Sequence, residues 1–367
     1  MKLATIMNNR KHISLVIPGP VEVRLEVLQA QTQWMIGHRS PEFAELFARL
    51  QPKLKQAFST NNRVYVIGGA ATGLWEAASR NCIRDDKKAL HLVNGAFGAR
   101  WAEVSRANGK QVDVIDVEWG QACVPEMVEE QLKNNEYDAV CVVHSETSTG
   151  VINPVKEIGE VVHQYDDTLL LVDVVSSFLG AELRVDEWAI DVALTSSQKA
   201  LALPPGLALA AVSDRVLERA KEIEYRGYYF DFLVMEKSLL KNNTTATPPI
   251  SLMFAAEKQL DDIFAIGLDK RWQHHLDMRE VAHKWTLDHG FGFYAQEGYR
   301  SPTVTAVDNR QRGVDVNQMA AYLLERGFTI DKGYGAIKGQ TFRIAHLGDM
   351  GMDTLNEVLG HMKEFIE

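Results

Sequence analysis

The sequence predicts an α/β protein, with an open, mostly parallel sheet covered by helices and a smaller α+β region after it. Three observations lead there. Between about residues 60 and 215, apolar runs of strand length alternate with segments of helix length. Most of those runs are predominantly apolar on both faces, which suits strands covered by helices on both sides. Beyond Asp214 the alternation gives way to longer helical segments and short, scattered strands, the texture of an α+β unit.

In order, Val64–Ile67 leads into Ala70–Ile83, Ala89–Val93 into Ala96–Asn108, and Val112–Val117 into Pro125–Asn134. Ala139–Val143 then leads into Val155–Tyr165, and Thr168–Val175, Val192–Thr195 and Leu207–Val212 complete the sheet. Each early strand thus feeds a helix that can return the chain over the sheet. Ile250–Phe264 and Leu268–His289 read as helices. Short strands follow near Thr303–Val307, Phe328–Ile330 and Phe342–Ala345, with helices at Val316–Arg326 and Met352–Ile366. Gly333-Tyr334-Gly335 and Pro248-Pro249 mark loops. The division expected is an N-terminal segment 1–20, a large domain 21–250 and a small C-terminal domain 251–367. The first 60 residues are expected to pack beside the small domain.

Composition narrows the function. The 367 residues carry a net charge of −10, so the basic surface that nucleic-acid binding needs is absent and no nucleic-acid partner is expected. Cys82, Cys123 and Cys141 form no CxxC and no Cys/His spacing for zinc, so reduced thiols and no metal are expected. No run approaches the roughly 20 apolar residues of a membrane span. Polar Asn8 to Lys11 interrupt the place where a signal peptide has its apolar stretch. A cytoplasmic location without membrane contact is the expectation.

Ligands of open α/β sheets bind beyond the carboxyl ends of the strands, so the residues there are the candidates for chemistry. Gly68-Gly69-Ala70-Ala71-Thr72-Gly73 ends one strand and opens a helix. Small residues, a hydroxyl and free helix N–H groups suit a phosphate, although neither the P-loop nor the dinucleotide spacing is present; the alternative is a plain tight turn. His144 to Gly150 is a polar run at the end of a buried strand, either functional or a set of turn residues satisfying one another. Asp173 ends an apolar run, where a carboxylate needs a cationic partner unless it merely reaches a loop or helix cap. Lys199 follows another buried strand among small and apolar residues. Desolvation there lowers its pKa and makes its amine nucleophilic, unless it snorkels to solvent. Phe97 stands at the same rim, as core or as a stacking ring.

Together these are the parts pyridoxal phosphate needs: an anion cradle, a carboxylate for the ring nitrogen and a lysine for the aldehyde. Ile190-Asp191-Val192-Ala193-Leu194-Thr195-Ser196-Ser197-Gln198-Lys199, followed six residues later by Gly206, is similar throughout to the lysine signature of the class V (fold type I) pyridoxal-phosphate aminotransferases. Pro18-Gly19-Pro20, Gly37-His38-Arg39-Ser40, Tyr228-Tyr229-Phe230-Asp231, Thr247-Pro248 and Phe342-Arg343-Ile344 extend the resemblance over nearly the whole chain, in particular to the alanine–glyoxylate / serine–pyruvate branch.

The resemblance implies a large domain with a mostly parallel seven-stranded sheet flanked by helices, and a smaller α+β domain. It implies Lys199 as the Schiff-base lysine, Asp173 at the ring nitrogen and Val175 under the ring. Ala70, Ala71, Thr72 and Gln198 fall at phosphate positions. Phe97 falls at the stacking position, where the family often has Trp, and Thr147 near the ring oxygen. Arg343 matches the clamp for the substrate carboxylate, and the Gly19 backbone a substrate contact. It further implies a homodimer in which Thr245 or Thr247 reaches the partner's phosphate site, although Thr244 stands where the family has tyrosine. The activity implied is ping-pong transfer of an amino group from alanine or serine to glyoxylate or pyruvate. A 2-aminoethylphosphonate–pyruvate transaminase or another class V enzyme is the alternative. A cysteine desulfurase is disfavoured, having no cysteine after Cys141 to use. A phosphoserine aminotransferase would need further basic residues, and no second cationic clamp is evident near Arg343, which disfavours dicarboxylate donors. Outside this class stand a non-catalytic binding module of the same fold and a nicotinamide enzyme built on Gly68–Gly73.

Overall fold

The computed structural model describes residues 12–367; the first eleven residues of the expected segment 1–20 lie outside the described residues. The strands, in chain order, are β1 (Ser14–Val16), β2 (Arg63–Gly69), β3 (Lys88–Val93), β4 (Gln111–Asp116), β5 (Ala139–Val143), β6 (Ser145–Glu146) and β7 (Val151–Ile152). They continue with β8 (Leu169–Asp173), β9 (Val192–Ser196), β10 (Gly206–Val212), β11 (Gly292–Phe293), β12 (Val304–Asp308), β13 (Phe328–Ile330) and β14 (Thr341–Ala345).

Seven of these form the large sheet, in the order β2-β10-β9-β8-β5-β3-β4. Every neighbouring pair is parallel except those made by β10, which runs against both β2 and β9. Two core layers sandwich it, and the pleat decides which residue goes where. Val64, Val66, Leu90, Leu92, Val140, Val142, Leu170 and Val172 face one layer. Tyr65, Ile67, Ala89, Cys141, Val143, Leu169 and Leu171 face the other. Between β3 and β5 the strand order reverses: β3 passes outward to β4, while β5 passes the other way to β8 and β9. Such a reversal opens a crevice at the strands' carboxyl ends.

The small sheet is β11-β12-β14, and β1 pairs in parallel with β13. Val16, Phe328, Ile330, Phe342 and Ile344 share a core with helices Leu268–Asp288, Val316–Glu325 and Met352–Ile366. Among the described residues, the expectation that the first 60 residues pack beside this small unit holds for β1 and for Val21 and Arg24, which meet Ala345, Leu347 and Asp349. Helix Pro41–Phe58 instead buries Phe43, Phe47, Leu50 and Phe58 in the large sheet's core, together with Met253 and Leu260 of helix Ile250–Ile266. That core selects the helix by its apolar stripe. Among the described residues no helix is long and apolar enough to cross a membrane. None of their acidic, histidine or cysteine side chains gather in a group that could hold a metal ion. The three cysteines are free and buried.

Candidate active site

β8 ends in Asp173, which is 3% exposed. Its carboxylate accepts hydrogen bonds from the Trp75 indole Nε1–H and the Val175 backbone N–H, both at 2.8 Å. Burial pushes its pKa up to about 7, against those two bonds and the charge of Lys199, while Glu146 adds to the rise. Among the described residues no cationic side chain makes the expected hydrogen bond to Asp173; two neutral N–H groups hold the carboxylate instead.

Lys199 stands three residues beyond β9, with its Nζ 6.0 Å from the centroid of the Phe97 ring. Burial first, and then the neighbouring Arg343, bring its pKa down to about 8; Asp173, Asp331 and Glu146 oppose that fall. Gly19, at φ +130°, lies flat against it. A Cβ at that position would come within 2.6 Å of Lys199 Cδ, so the contact needs glycine for both space and conformation.

Helix Ala71–Cys82 opens at Ala70, and no side chain caps it. Its first N–H groups are therefore available to an anion, with the dipole in their favour. The same helix carries Trp75 one turn on, so one element presents both the anion cradle and the indole that holds Asp173. Ser196 Oγ is buried without a partner. Thr147 Oγ1 bonds Ser176 Oγ. Asp173, Lys199, Ala70, Trp75, Ser196, Thr147 and Ser176, with Ala71, Thr72, Val175, Phe97 and Gln198, line one cleft.

The polar run after β5 divides between the two readings given it. Glu146 caps helix Ala96–Ala107 by accepting from Phe97 N at 3.1 Å and Gly98 N at 3.0 Å. Ser148 Oγ accepts from Ala96 N at 3.0 Å. These are turn and cap residues satisfying one another, with Gly95 required because a Cβ would meet Glu146 at 2.4 Å. Ser145 and Thr147 are the members of the run that line the cleft. The capping also fixes the start of the helix that carries Phe97.

Arg343, on β14, is 4% exposed. Its Nη1 donates to the Thr147 carbonyl at 2.9 Å, and its Nε and Nη2 donate to the two oxygens of Asp331, each at 2.7 Å. Small and large sheets therefore meet at Thr147. Tyr334 stacks on Phe97 (centroids 5.4 Å apart, planes at 8°), and its hydroxyl accepts from Arg100 Nη2 at 2.8 Å. Arg100 is thus a second cation at the same aromatic pair, one that sequence reasoning passed over.

Thr245 and Thr247 do not line the cleft of their own chain. Thr245, its hydroxyl buried and unpartnered, lines a separate hollow beside Gly68 and Tyr229. Thr247 Oγ1 lies 3.4 Å from His38 Nε2. Sequence reasoning also missed Trp75, Ser176, Ser196 and Asp331. Trp75 had a signal, being three residues after Thr72 on one helix face. Ser196 sits inside the lysine run. Asp331 had none, because its pairing with Arg343 comes from an isolated bridge between β13 and β14.

The family model for class V aminotransferases matches residues 24–342. The chain is 38% identical over 341 residues to an uncharacterised aminotransferase of Methanocaldococcus jannaschii, covering 92% of this chain and 88% of that protein. It is 31% identical to the serine–glyoxylate aminotransferase of Methylorubrum extorquens, over 99% of this chain and 93% of the other. Among solved structures, the alanine–glyoxylate aminotransferase of Nostoc sp. superposes with a TM-score of 0.93 at 27% identity, covering all of both chains.

Proposed function

The chain belongs to the class V aminotransferases, and from that premise we propose that it moves the amino group of alanine or serine to glyoxylate or pyruvate. The observation that carries the reading is the convergence of Lys199, Asp173 and the uncapped helix N-terminus on one cleft. Pyridoxal phosphate is the cofactor, and three features of the cleft fit it: the helix N–H groups for a phosphate, the buried Ser196 hydroxyl without a partner, and a carboxylate without a cation.

Bound there, the cofactor supplies a cationic ring that takes up negative charge from the substrate's α-carbon. Ala70, Ala71, Thr72 and Gln198 would hold its phosphate. Asp173 would keep the ring nitrogen protonated, since an opposite charge favours the carboxylate form of a group otherwise poised near 7. Phe97 and Val175 would fix the ring's plane, with Thr147 near its oxygen. Lys199 Nζ, with its pKa lowered to about 8, has a substantial free-amine fraction near neutral pH. It would anchor the cofactor, and once released take the proton from the α-carbon and return it. Arg343 would receive the substrate carboxylate, and Gly19 would border it.

The half-reactions alternate in a ping-pong order, and the enzyme works as a cytoplasmic homodimer in which Thr245 or Thr247 completes the partner's site. A panel of amino donors against glyoxylate and pyruvate tests the reading, with the keto-acid product followed. Turnover with alanine or serine, and parallel double-reciprocal lines, are expected. Activity confined to 2-aminoethylphosphonate, or none with any donor, would contradict it.

A further inference from the structure

Arg343 does not offer a free guanidinium. Asp331 takes its Nε and one N–H of Nη2, and the Thr147 carbonyl takes one N–H of Nη1. The Tyr334 ring covers a face, 5.4 Å from Cζ. An arginine has five N–H donors in a rigid fork, so one N–H on Nη1 and one on Nη2 remain for an arriving carboxylate.

Asp331 is not built to swing away. Its own carbonyl accepts from Arg343 N at 3.1 Å, and its Oδ1 also accepts from Gly333 N at 2.8 Å. Three residues on, Tyr334 is stacked on Phe97 and bonded to Arg100. The carboxylate is therefore fixed by backbone on both sides, independently of its ion pair. Removing it would leave a nearly buried guanidinium with an unpaired edge, which is costly. A side chain that had to yield its place to substrate would not be pinned in this way.

We infer that Asp331 is a positioning residue for the amino donor: it grips Arg343 by one edge and thereby aims the remaining N–H groups at a single substrate carboxylate. This rests on the reading that Arg343 receives that carboxylate. The planar, bidentate pair sets the tilt of the guanidinium, and a carboxylate docking on the leftover N–H groups inherits that tilt. In Asp331→Asn an amide NH₂ would face one of the arginine's donors, and the grip would fail without loss of side-chain volume.

The test compares Asp331→Asn, Asp331→Glu and Arg343→Gln by donor KM and kcat at saturating glyoxylate. A donor dissociation constant from titration of the bound cofactor's absorbance gives a readout independent of turnover. Asp331→Asn is expected to raise KM and the dissociation constant at least about tenfold, as loss of a charge-assisted bond does, and to change kcat less than either. Asp331→Glu, which keeps the charge, is expected to fall between it and the parent, and carries the comparison should Asp331→Asn not fold. If Arg343→Gln weakens the donor but the Asp331 variants bind it as the parent does, or more tightly, the inference is overturned and the role of Arg343 stands. If Arg343→Gln itself leaves donor binding unchanged, the reading of Arg343 fails.

Discussion

Asp173 and Lys199 carry opposite burdens in the protein without cofactor. Burial has raised the Asp173 pKa from 3.8 to about 7, so the folded chain binds more protons than the unfolded chain between those values. Its contribution to stability therefore falls as pH rises through that window. Asp173→Asn removes that cost but sets an amide NH₂ against the Trp75 or Val175 N–H, so its stability relative to the parent is expected to be more favourable at pH 8 than at pH 4, by up to about 4 kcal/mol, as read from denaturant unfolding. The same variant should bind the cofactor more weakly, because the charge facing the ring nitrogen is gone. Lys199 has the reverse sign: its pKa is lowered to about 8 from 10.5, so its cost is full below pH 8 and is relieved as pH rises toward 10.5. Lys199→Ala is expected to cut turnover at least about a hundredfold, the scale of a lost general acid–base, while the circular dichroism is unchanged. Both residues were legible in the sequence, since a charge closing an apolar run stands out. What the sequence could not show is that Asp173 is held by an indole, because Trp75 lies 98 residues away and only the fold brings them together.

At the scale of elements, helix Ala71–Cys82 links the phosphate cradle to Asp173 through Trp75. Its N-cap is alanine, a poor cap, where an anion would supply the missing charge. Ala70→Asp is expected to stabilise the empty protein by about 1 kcal/mol in thermal unfolding and to weaken cofactor binding in equilibrium dialysis, since the new carboxylate takes the phosphate's place. A variant that lost stability and kept its affinity would put the phosphate elsewhere. The strands of the large sheet were readable because most are short, largely apolar runs. The reversal of β10 was not, because a run buried on both faces carries no sign of direction. The start of helix Pro41–Phe58 carries a sequence signal, since Ser40 and Pro41 form a capping pair, with Ser40 Oγ accepting from Phe43 N at 3.4 Å.

At the scale of the molecule, the cleft is closed by contacts between distant parts of the chain. Gly19 packs on Lys199, and Arg343 of the small sheet bonds the carbonyl of Thr147 beyond β5. The sequence supplied Gly19, Thr147 and Arg343 singly, through resemblance. It could not supply Asp331 as the partner of Arg343, because that pairing depends on register. The buried hydroxyl of Thr245 and the position of Thr247 outside their own cleft accord with a site shared across a homodimer. Mixing Thr245→Ala or Thr247→Ala with inactive Lys199→Ala subunits is expected to raise activity above that of the threonine variant alone after subunit exchange, because the mixed dimer pairs an intact Lys199 with an intact threonine from the other subunit. No gain on mixing would make each site self-sufficient. The central claim is that Lys199 carries the cofactor, and borohydride reduction of the loaded enzyme followed by peptide mass mapping tests it most directly. The account expects the reduced cofactor's mass on the peptide containing Lys199; the same mass on another lysine, or on none, would contradict it.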